Sequence, residues 1–362
     1  MCQITSHKCR VGDGTLCSPR FPLRSEQKRI LLLSALAIGL AVAGPAPVNS
    51  NGWTLMWSDE FNGPNGSAVD RSKWVLETGG EGWGNQELEY YTDRSENASV
   101  RDGNLVIKAL AENYIGPDGV TRGYTSARLE TFGKFSQTYG RFEARIKIPS
   151  GQGIWPAFWM LGDDIDRVGW PACGEIDVME NIGREPAIIH GSIHGPGYVG
   201  GTGIEAPYTL PGNKRFADDF HVFAIEWNPD SVDFYVDQDL YVRRTRADLK
   251  PGWKWVFDKP FFLLLNLAVG GNWPGNPDSS TVFPQTMLVD YVRIYQKTES
   301  PNQEHAQPSG FPVRADSALP GDQFTARLMP WNRFLDGVNP STRGQLGPWP
   351  RRYKQNLLLS VF

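Results

Sequence analysis

The segment GEIDVMEN (residues 174–181) places three acidic side chains within six residues. Successive side chains of a β-strand point to opposite faces, so Glu175 and Asp177 would share one face. Strict alternation would turn Glu180 into the core, which is costly for a carboxylate. One extra residue accommodated as a β-bulge near Met179 returns Glu180 to the face of Glu175. We therefore predict three carboxyl groups along one side of one strand, although like charges repel.

Glycoside hydrolysis is a reaction that needs such a set. Retaining enzymes use two carboxyl groups about 5–5.5 Å apart, one as the nucleophile and one as the proton donor. Four pleat steps separate the Cα atoms of Glu175 and Glu180 by roughly 13 Å, and two glutamate side chains that lean together can close that gap. Asp177 between them can orient the nucleophile and keep the pKa of the donor high. From spacing alone, the alternative is a solvated edge strand with three acids.

Tryptophans surround the acidic segment in the sequence. Trp155 and Trp159 belong to WPAFWML and share strand parity, and Trp170 lies just before the acids. Indole rings match the apolar C–H faces of sugar rings. A single aromatic residue in a strand is more often part of the core, but the shared parity predicts the same exposure for Trp155 and Trp159. This neighbourhood favours a carbohydrate site over a solvated edge strand.

Polar candidates lie on either side of this region. Asn85 lies in a glycine-rich loop and could bind sugar hydroxyl groups; the alternative is an ordinary turn residue. His190 and His194 could suggest zinc, but their isoleucine neighbours indicate a strand, on which the two rings lie roughly 13 Å apart. We predict that His194 is a hydrogen-bond donor near the cleft. Cys173, alone in the middle of the chain, is interpreted as a small residue beside the site.

The elements that must position these residues are predicted to be strands. Residues 141–148 and 220–227 alternate between apolar and polar, and 231–236, 240–242 and 288–295 continue the series. Residues 261–265 are all apolar, as expected for a strand buried on both faces. The 39 Gly and 27 Pro residues, with 13 Trp, disfavour long helices. We predict an all-β fold, a two-sheet antiparallel β-sandwich.

Composition separates the chain into three parts. The 362 residues carry a net charge of -4, which argues against a nucleic-acid partner. Within residues 1–44, Lys28 and Arg29 precede an apolar run, which predicts a secretory signal that is cleaved before Gly44 and is too short for a stable membrane span. Residues 45–298 form the predicted catalytic domain, and residues 299–362, rich in Pro and Arg, a disordered tail. We expect a secreted monomer.

Seven segments resemble glycoside hydrolase family 16, and within it the bacterial laminarinases, which are endo-1,3-β-glucanases. They are WSDEFN (57–62), GNQE (84–87), YGRFEAR (139–145), WPAFWML (155–161), GEIDVMEN (174–181), HGPGY (194–198) and DYVRIY (290–295). The resemblance runs from about residue 53 to residue 296. It implies a concanavalin-like β-jelly roll with a concave substrate cleft, and β-glucan as the substrate.

The resemblance also implies roles for individual residues. Glu175 would be the nucleophile, Asp177 its helper and Glu180 the general acid and then base. Substrate would contact five residues: Asn85, Trp155, Trp159, Trp170 and His194. No cofactor is implied for catalysis, but a structural calcium ion is, held by the backbone oxygens of Glu60 and Gly103 and the carboxylate of Asp290.

Several rival functions share parts of this pattern. Agarases and carrageenases resemble the same family and keep the extra residue in the acidic strand, although a carrageenase needs a basic cleft. Lichenases and xyloglucan transferases lack that residue, so Met179 counts against them. A non-catalytic β-glucan-binding module would have lost the acids, and a structural surface protein would leave the cluster of acids and tryptophans unexplained. Cleavage of mixed 1,3-1,4-glucan stays open.

Overall fold

The computed structural model describes residues 48–49 and 52–298, which form 18 β-strands. The predicted secretory segment and the predicted tail lie outside the described residues. Within the described part the helices are short: α1 (Ile165–Val168) and the 3-10 turns Gly200–Thr202, Pro211–Asn213 and Arg246–Asp248. None of them is long and apolar enough to cross a membrane. The all-β prediction is confirmed.

One sheet has eleven strands. Its main path is, in spatial order, β16 (Asp239–Thr245), β15 (Ser231–Val236), β14 (His221–Asn228), β9 (Gly140–Lys147), β18 (Gln285–Lys297), β6 (Asn104–Ile115), β7 (Thr121–Ser126) and β4 (Glu89–Tyr91). Beside this path, β2 (Trp53–Asp59) pairs with β18, β1 (Val48–Asn49) with β2, and β5 (Ala98–Arg101) with β6. All of these pairs are antiparallel except β4 and β7, which are parallel.

The second sheet has seven antiparallel strands. Their spatial order is β13 (Ile204–Thr209), β12 (Ile188–His194), β11 (Glu175–Glu180), β10 (Ile154–Gly162), β17 (Phe261–Val269), β8 (Arg128–Glu130) and β3 (Val75–Glu77). The acidic strand β11 therefore lies inside the sheet, between β12 and β10. The alternative of a solvated edge strand is wrong.

The main core lies between the two sheets. On β9, Phe142, Ala144 and Ile146 are fully buried there, as the alternation predicts. All nine residues of β17 are buried, but they face two ways. Leu263 and Leu265 point into the main core. Phe262 and Leu264 point the other way and pack with Cys173 in a small second cluster. Ile165 of α1 packs on this part of the face.

The predicted bulge is present in β11. Asp177 lies opposite Trp159 on β10, but Met179 lies opposite Phe158, so β11 has one residue more than its neighbour. The pairing with β12 shows the same shift between Asp177 and Glu180. Both residues of the bulge, Val178 and Met179, are buried. The extra residue therefore returns Glu180 to the face of Asp177 without exposing an apolar side chain.

Candidate active site

The face of the seven-stranded sheet that points away from the main core carries the predicted site. We call it the acid face; it is defined by Trp155, Trp159, Glu175, Asp177, Glu180, His190, Ser192 and His194. Strand pairing places Glu175 opposite His194, Asp177 opposite Ser192 and Glu180 opposite His190. The acids and both histidines are therefore neighbours on adjacent strands.

Each outer carboxyl group accepts a hydrogen bond from an indole N–H. Trp170 Nε1 donates to Glu175 Oε2 at 2.7 Å, and Trp155 Nε1 donates to Glu180 Oε1 at 3.0 Å. Trp170 lies after α1 and is 39% exposed, so its ring forms part of the accessible surface. Each bond leaves the second oxygen of the carboxyl group for other partners.

The central acid is held more tightly. Ser192 Oγ donates to Asp177 Oδ2 at 2.6 Å, and His194 Nε2 lies 3.0 Å from the same oxygen. His194 Nε2 is also 3.9 Å from Glu175 Oε1. Asp177 is 3% exposed, so its charge is screened by these neighbours rather than by water.

The environment raises the pKa values of both outer acids. Burial and the nearby Asp177 charge raise the pKa of Glu175 to about 7. The same two causes raise the pKa of Glu180 well above its usual value. Burial alone would lower the pKa of His194, but its hydrogen bond to Asp177 and the surrounding carboxylates raise it to about 10. These shifts favour the cationic form of His194 and the protonated form of Glu180.

Trp155 and Trp159 are both half-buried on the acid face, which confirms the prediction of equal exposure. Trp159 Nε1 donates to Asn266 Oδ1 at 2.7 Å. The Arg128 guanidinium lies between two indole rings, 4.8 Å from the Trp159 centroid and 4.6 Å from that of Trp83, and forms an ion pair with Glu77. These contacts hold the rings of Trp83 and Trp159 in place.

Asn85 is exposed in the loop before β4. Its side-chain Nδ2 donates to Glu87 Oε1 at 3.1 Å, and its backbone carbonyl oxygen accepts a hydrogen bond from the backbone N–H of Asn272. Next to Asn272, the ring of Trp273 makes an edge contact with Trp155. The Asn85 loop and the Trp273 loop therefore meet at the end of the acid face where Trp155 lies.

Sequence reasoning missed four contributors: Arg128, Ser192, Asn266 and Trp273. Ser192 lies between two histidines of equal parity, and that parity could have revealed it. Nothing near Arg128 or Asn266 in the sequence indicates their contacts, because their partners are distant in the chain.

Two other sequence interpretations can be compared with the structure. Cys173 is a free, fully buried thiol, and burial and the Glu175 charge raise its pKa to about 12, which is unsuitable for a nucleophile. His190 Nδ1 is bonded to Glu205, and His194 to the acids. Among the described residues, Glu175, Asp177 and His194 are the group whose ligand atoms lie within 4.8 Å of one another. His194 Nε2 lies 3.0 Å from Asp177 Oδ2, and the raised pKa of His194 favours its predicted role as a hydrogen-bond donor.

The residues expected to hold calcium converge on the eleven-stranded sheet. Val292 of β18 pairs with Asp59 and Val289 with Leu105, so continued pairing would place Asp290 within one residue of Glu60 on one side and of Gly103 on the other. The Glu60 carboxylate accepts two hydrogen bonds from Arg293, which leaves only its carbonyl for an ion. Asp290 Oδ2 accepts from Arg145 at 2.6 Å. An oxygen-only set suits calcium, but the ion would share the Asp290 carboxylate with Arg145.

Comparison with known proteins agrees with this geometry. The sequence profile of Glycosyl hydrolases family 16 matches residues 84–293. The "Beta-glucanase" of Rhodothermus marinus is 43% identical over 292 residues, which cover 78% of this chain and 99% of that protein.

Two solved structures show the same fold. The laminarinase catalytic domain of Thermotoga maritima is 50% identical, with a TM-score of 0.65 over 68% of this chain and 99% of that one. SCLam, a non-specific endo-β-1,3(4)-glucanase, is 38% identical, with a TM-score of 0.62 over 70% of this chain and 94% of that one. The chain belongs to glycoside hydrolase family 16.

Proposed function

We propose that this glycoside hydrolase is a secreted, endo-acting enzyme that cleaves β-1,3-glucan with retention of configuration. The observation that carries the proposal is the acid face itself. Glu175 and Glu180 lie on one face of β11, each held by an indole N–H, and burial and the Asp177 charge raise the pKa values of both. His194 lies 3.9 Å from Glu175, where its positive charge favours an ionised nucleophile, and the raised pKa of Glu180 suits the proton donor.

In the first step, a Glu175 carboxylate oxygen attacks the anomeric carbon. The bond from that carbon to the leaving oxygen breaks, and the leaving oxygen takes the proton of Glu180. In the second step, ionised Glu180 accepts a proton from water, the water oxygen attacks the anomeric carbon, and Glu175 is released. Asp177 orients Glu175, and His194 balances part of the charge of the carboxyl cluster.

The names of similar proteins support β-1,3-glucan as the substrate. Similar proteins are named laminarinase and β-glucanase, and SCLam is named a non-specific endo-β-1,3(4)-glucanase. We therefore include mixed 1,3-1,4-glucan among the proposed substrates. The rivals are an agarase of the same family and a non-catalytic β-glucan-binding module. Two acids with raised pKa values beside tryptophan rings favour catalysis over binding alone.

Release of reducing ends from laminarin, lichenan, agarose and carrageenan by the full chain tests this proposal. Strong release on laminarin supports it, and release on lichenan extends it to mixed linkages. Release on agarose alone would move the specificity to the agarase type. A folded protein that binds laminarin without cleaving it would favour the binding module.

Secretion and calcium binding are separate proposals. N-terminal sequencing of the exported protein should begin near Gly44; a start upstream of Leu31 would contradict export through this segment. If calcium is held by Glu60, Gly103 and Asp290, a chelator should lower the melting temperature and added calcium should restore it. Asp290→Asn should abolish that calcium response, and an unchanged melting temperature with chelator would contradict the site.

A further inference from the structure

A chain of hydrogen bonds runs beneath the acid face and converges on one carboxyl group. Trp159 Nε1 donates to Asn266 Oδ1 at 2.7 Å, and Asn266 Nδ2 donates to the Tyr91 hydroxyl at 3.1 Å. Tyr91 donates to Glu87 Oε2 at 3.0 Å, and from the other side Asn85 Nδ2 donates to Glu87 Oε1 at 3.1 Å. Every bond points toward Glu87, which is therefore the common acceptor.

The carboxyl group of Glu89 lies near Glu87, and only one of its two oxygens accepts a hydrogen bond. Glu89 is fully buried on β4, and its Oε2 accepts from the backbone N–H of Val269 at 2.7 Å. Its Oε1 is buried and accepts no hydrogen bond, and the neighbouring Glu87 carboxyl group is close enough to act on it electrostatically. Two ionised carboxylates this close would repel strongly in a buried site. A proton on Glu89 removes the repulsion, and the resulting O–H group can donate a hydrogen bond to Glu87.

The surrounding groups support the same protonation. The titratable groups closest to Glu89 are Glu87 and Tyr91, and the charged Arg128 lies beyond Tyr91. Burial and the Glu87 charge raise the pKa of Glu89 well above its usual value. Burial and both glutamates also raise the pKa of Tyr91, which therefore stays a hydroxyl donor.

We propose that Glu89 is a neutral acid that donates a hydrogen bond to Glu87, and that Glu87 is a positioning residue for Asn85. Because both oxygens of Glu87 only accept, Asn85 must turn its NH₂ group toward Glu87 and its Oδ1 away from it. Asn85 then presents an acceptor to a sugar hydroxyl. This role toward substrate rests on the proposed function, whereas the hydrogen bond from Glu89 to Glu87 does not.

The protonation is measured without substrate. The infrared difference spectrum between wild type and Glu89→Gln at pH 7 should contain the carbonyl stretch of a protonated carboxylic acid, lost in the variant. The amide that this substitution introduces can still donate to Glu87 and accept from Val269, so the variant should keep its fold. A difference spectrum without that band would overturn the assignment of the proton, whatever the enzyme does to laminarin.

The positioning role is measured by steady-state kinetics on laminarin. Glu87→Gln places an NH₂ group against Asn85 or Tyr91 and should raise KM about tenfold, with kcat within about threefold. Glu89→Gln should keep both within about twofold, and so should the control Glu226→Gln, the same change on the other sheet. Asn85→Ala combined with Glu87→Gln should be no worse than the worse single variant, because both remove one interaction.

Asn85→Asp tests the same contact at an exposed position, where folding is not at risk. The carboxylate that replaces the amide keeps an oxygen for the sugar but has no donor for Glu87, so KM should rise at least as much as in Asn85→Ala. Wild-type KM in Asn85→Asp or Glu87→Gln, or additive effects in the double variant, would overturn the positioning role. A wild-type enzyme inactive on laminarin would instead defeat the proposed substrate, and the infrared result would still decide the proton.

Discussion

The carboxylates on the outer faces of the two sheets have different kinds of partner. On the eleven-stranded sheet, acids meet arginines, in the pairs Glu60–Arg293, Glu226–Arg141, Asp233–Arg243 and Asp290–Arg145. On the acid face, three acids meet one another, two indole N–H groups, a serine and a single histidine. The hydrogen bonds from Arg293 lower the pKa of Glu60, whereas burial and repulsion raise the pKa values of Glu175 and Glu180.

This difference separates carboxylates that suit the folded state from carboxylates that suit a reaction. An arginine partner stabilises the ionised acid and lowers its pKa, so the acid becomes a weaker base and carries no proton to donate near neutral pH. The acid face instead raises the pKa values of two neighbouring acids, which brings them into the range that acid–base chemistry requires. Crowding the acids lowers stability there, so the arrangement is explained by function and not by folding.

The largest effect is expected for Glu175→Gln, which removes the nucleophilic charge but keeps the shape. The rate on laminarin should fall by at least about ten-thousand-fold, while the melting temperature stays the same or rises because repulsion with Asp177 is relieved. The matched change on the other sheet, Glu60→Gln, should leave the rate within about twofold. Activity of Glu175→Gln within about tenfold of wild type would refute the assignment.

Deletion of Met179 should have the next largest effect. Removing one residue of the bulge restores strict alternation and turns the Glu180 side chain toward the core. Turnover should fall by about a thousandfold, comparable with loss of a general acid. Met179→Leu keeps the residue count and should retain most activity. Near-normal turnover of a folded deletion variant would show that the bulge does not position Glu180.

Trp170→Phe should shift the pH dependence by a smaller amount. Its indole N–H lowers the pKa of Glu175, so its loss should raise that pKa further. Because Glu175 must be ionised, kcat/KM should rise with pH through about 7 in wild type and at higher pH in the variant. The loss relative to wild type should be about fivefold larger at pH 6 than at pH 8. An equal loss at both pH values would limit Trp170 to sugar contact.

The smallest expected effect is on stability, and it has opposite signs on the two faces. The raised pKa of Glu180 means that its contribution is fully present below its unfolded pKa and is lost as pH rises. The lowered pKa of Glu60 means that its contribution is present above its unfolded pKa and is lost as pH falls. In melting curves against pH, Glu180→Gln should reduce the alkaline loss and Glu60→Gln the acid loss. The same slope change in both variants would contradict the comparison.

Local patterns were sufficient to predict the acid strand. Period-two alternation identified β9, β14 and β15, and the cost of burying Glu180 predicted the bulge at Val178 and Met179, which the register confirms. Parity also predicted the equal exposure of Trp155 and Trp159. Each of these inferences needs only neighbours along one strand, where spacing fixes direction.

Contacts between distant strands could not be predicted. Asn266 follows an apolar run that was interpreted only as a buried strand, yet it bonds to Tyr91, 175 residues away. The strand order, with β18 between β9 and β6, brings together segments that no local pattern links. In the other sheet, the order that places β17 between β8 and β10 brings Arg128 between the rings of Trp83 and Trp159.

The central claim is that Glu175 forms a covalent bond to the sugar while Glu180 moves the proton. A laminaribiosyl donor with fluorine at C2 and a good leaving group should accumulate as the glycosyl-enzyme, because deglycosylation is slowed. Mass spectrometry of the digested protein should find the label on the peptide that contains Glu175, and specifically on that residue. A label on another carboxyl group, or an unlabelled enzyme whose first product is the α-anomer, would contradict the account.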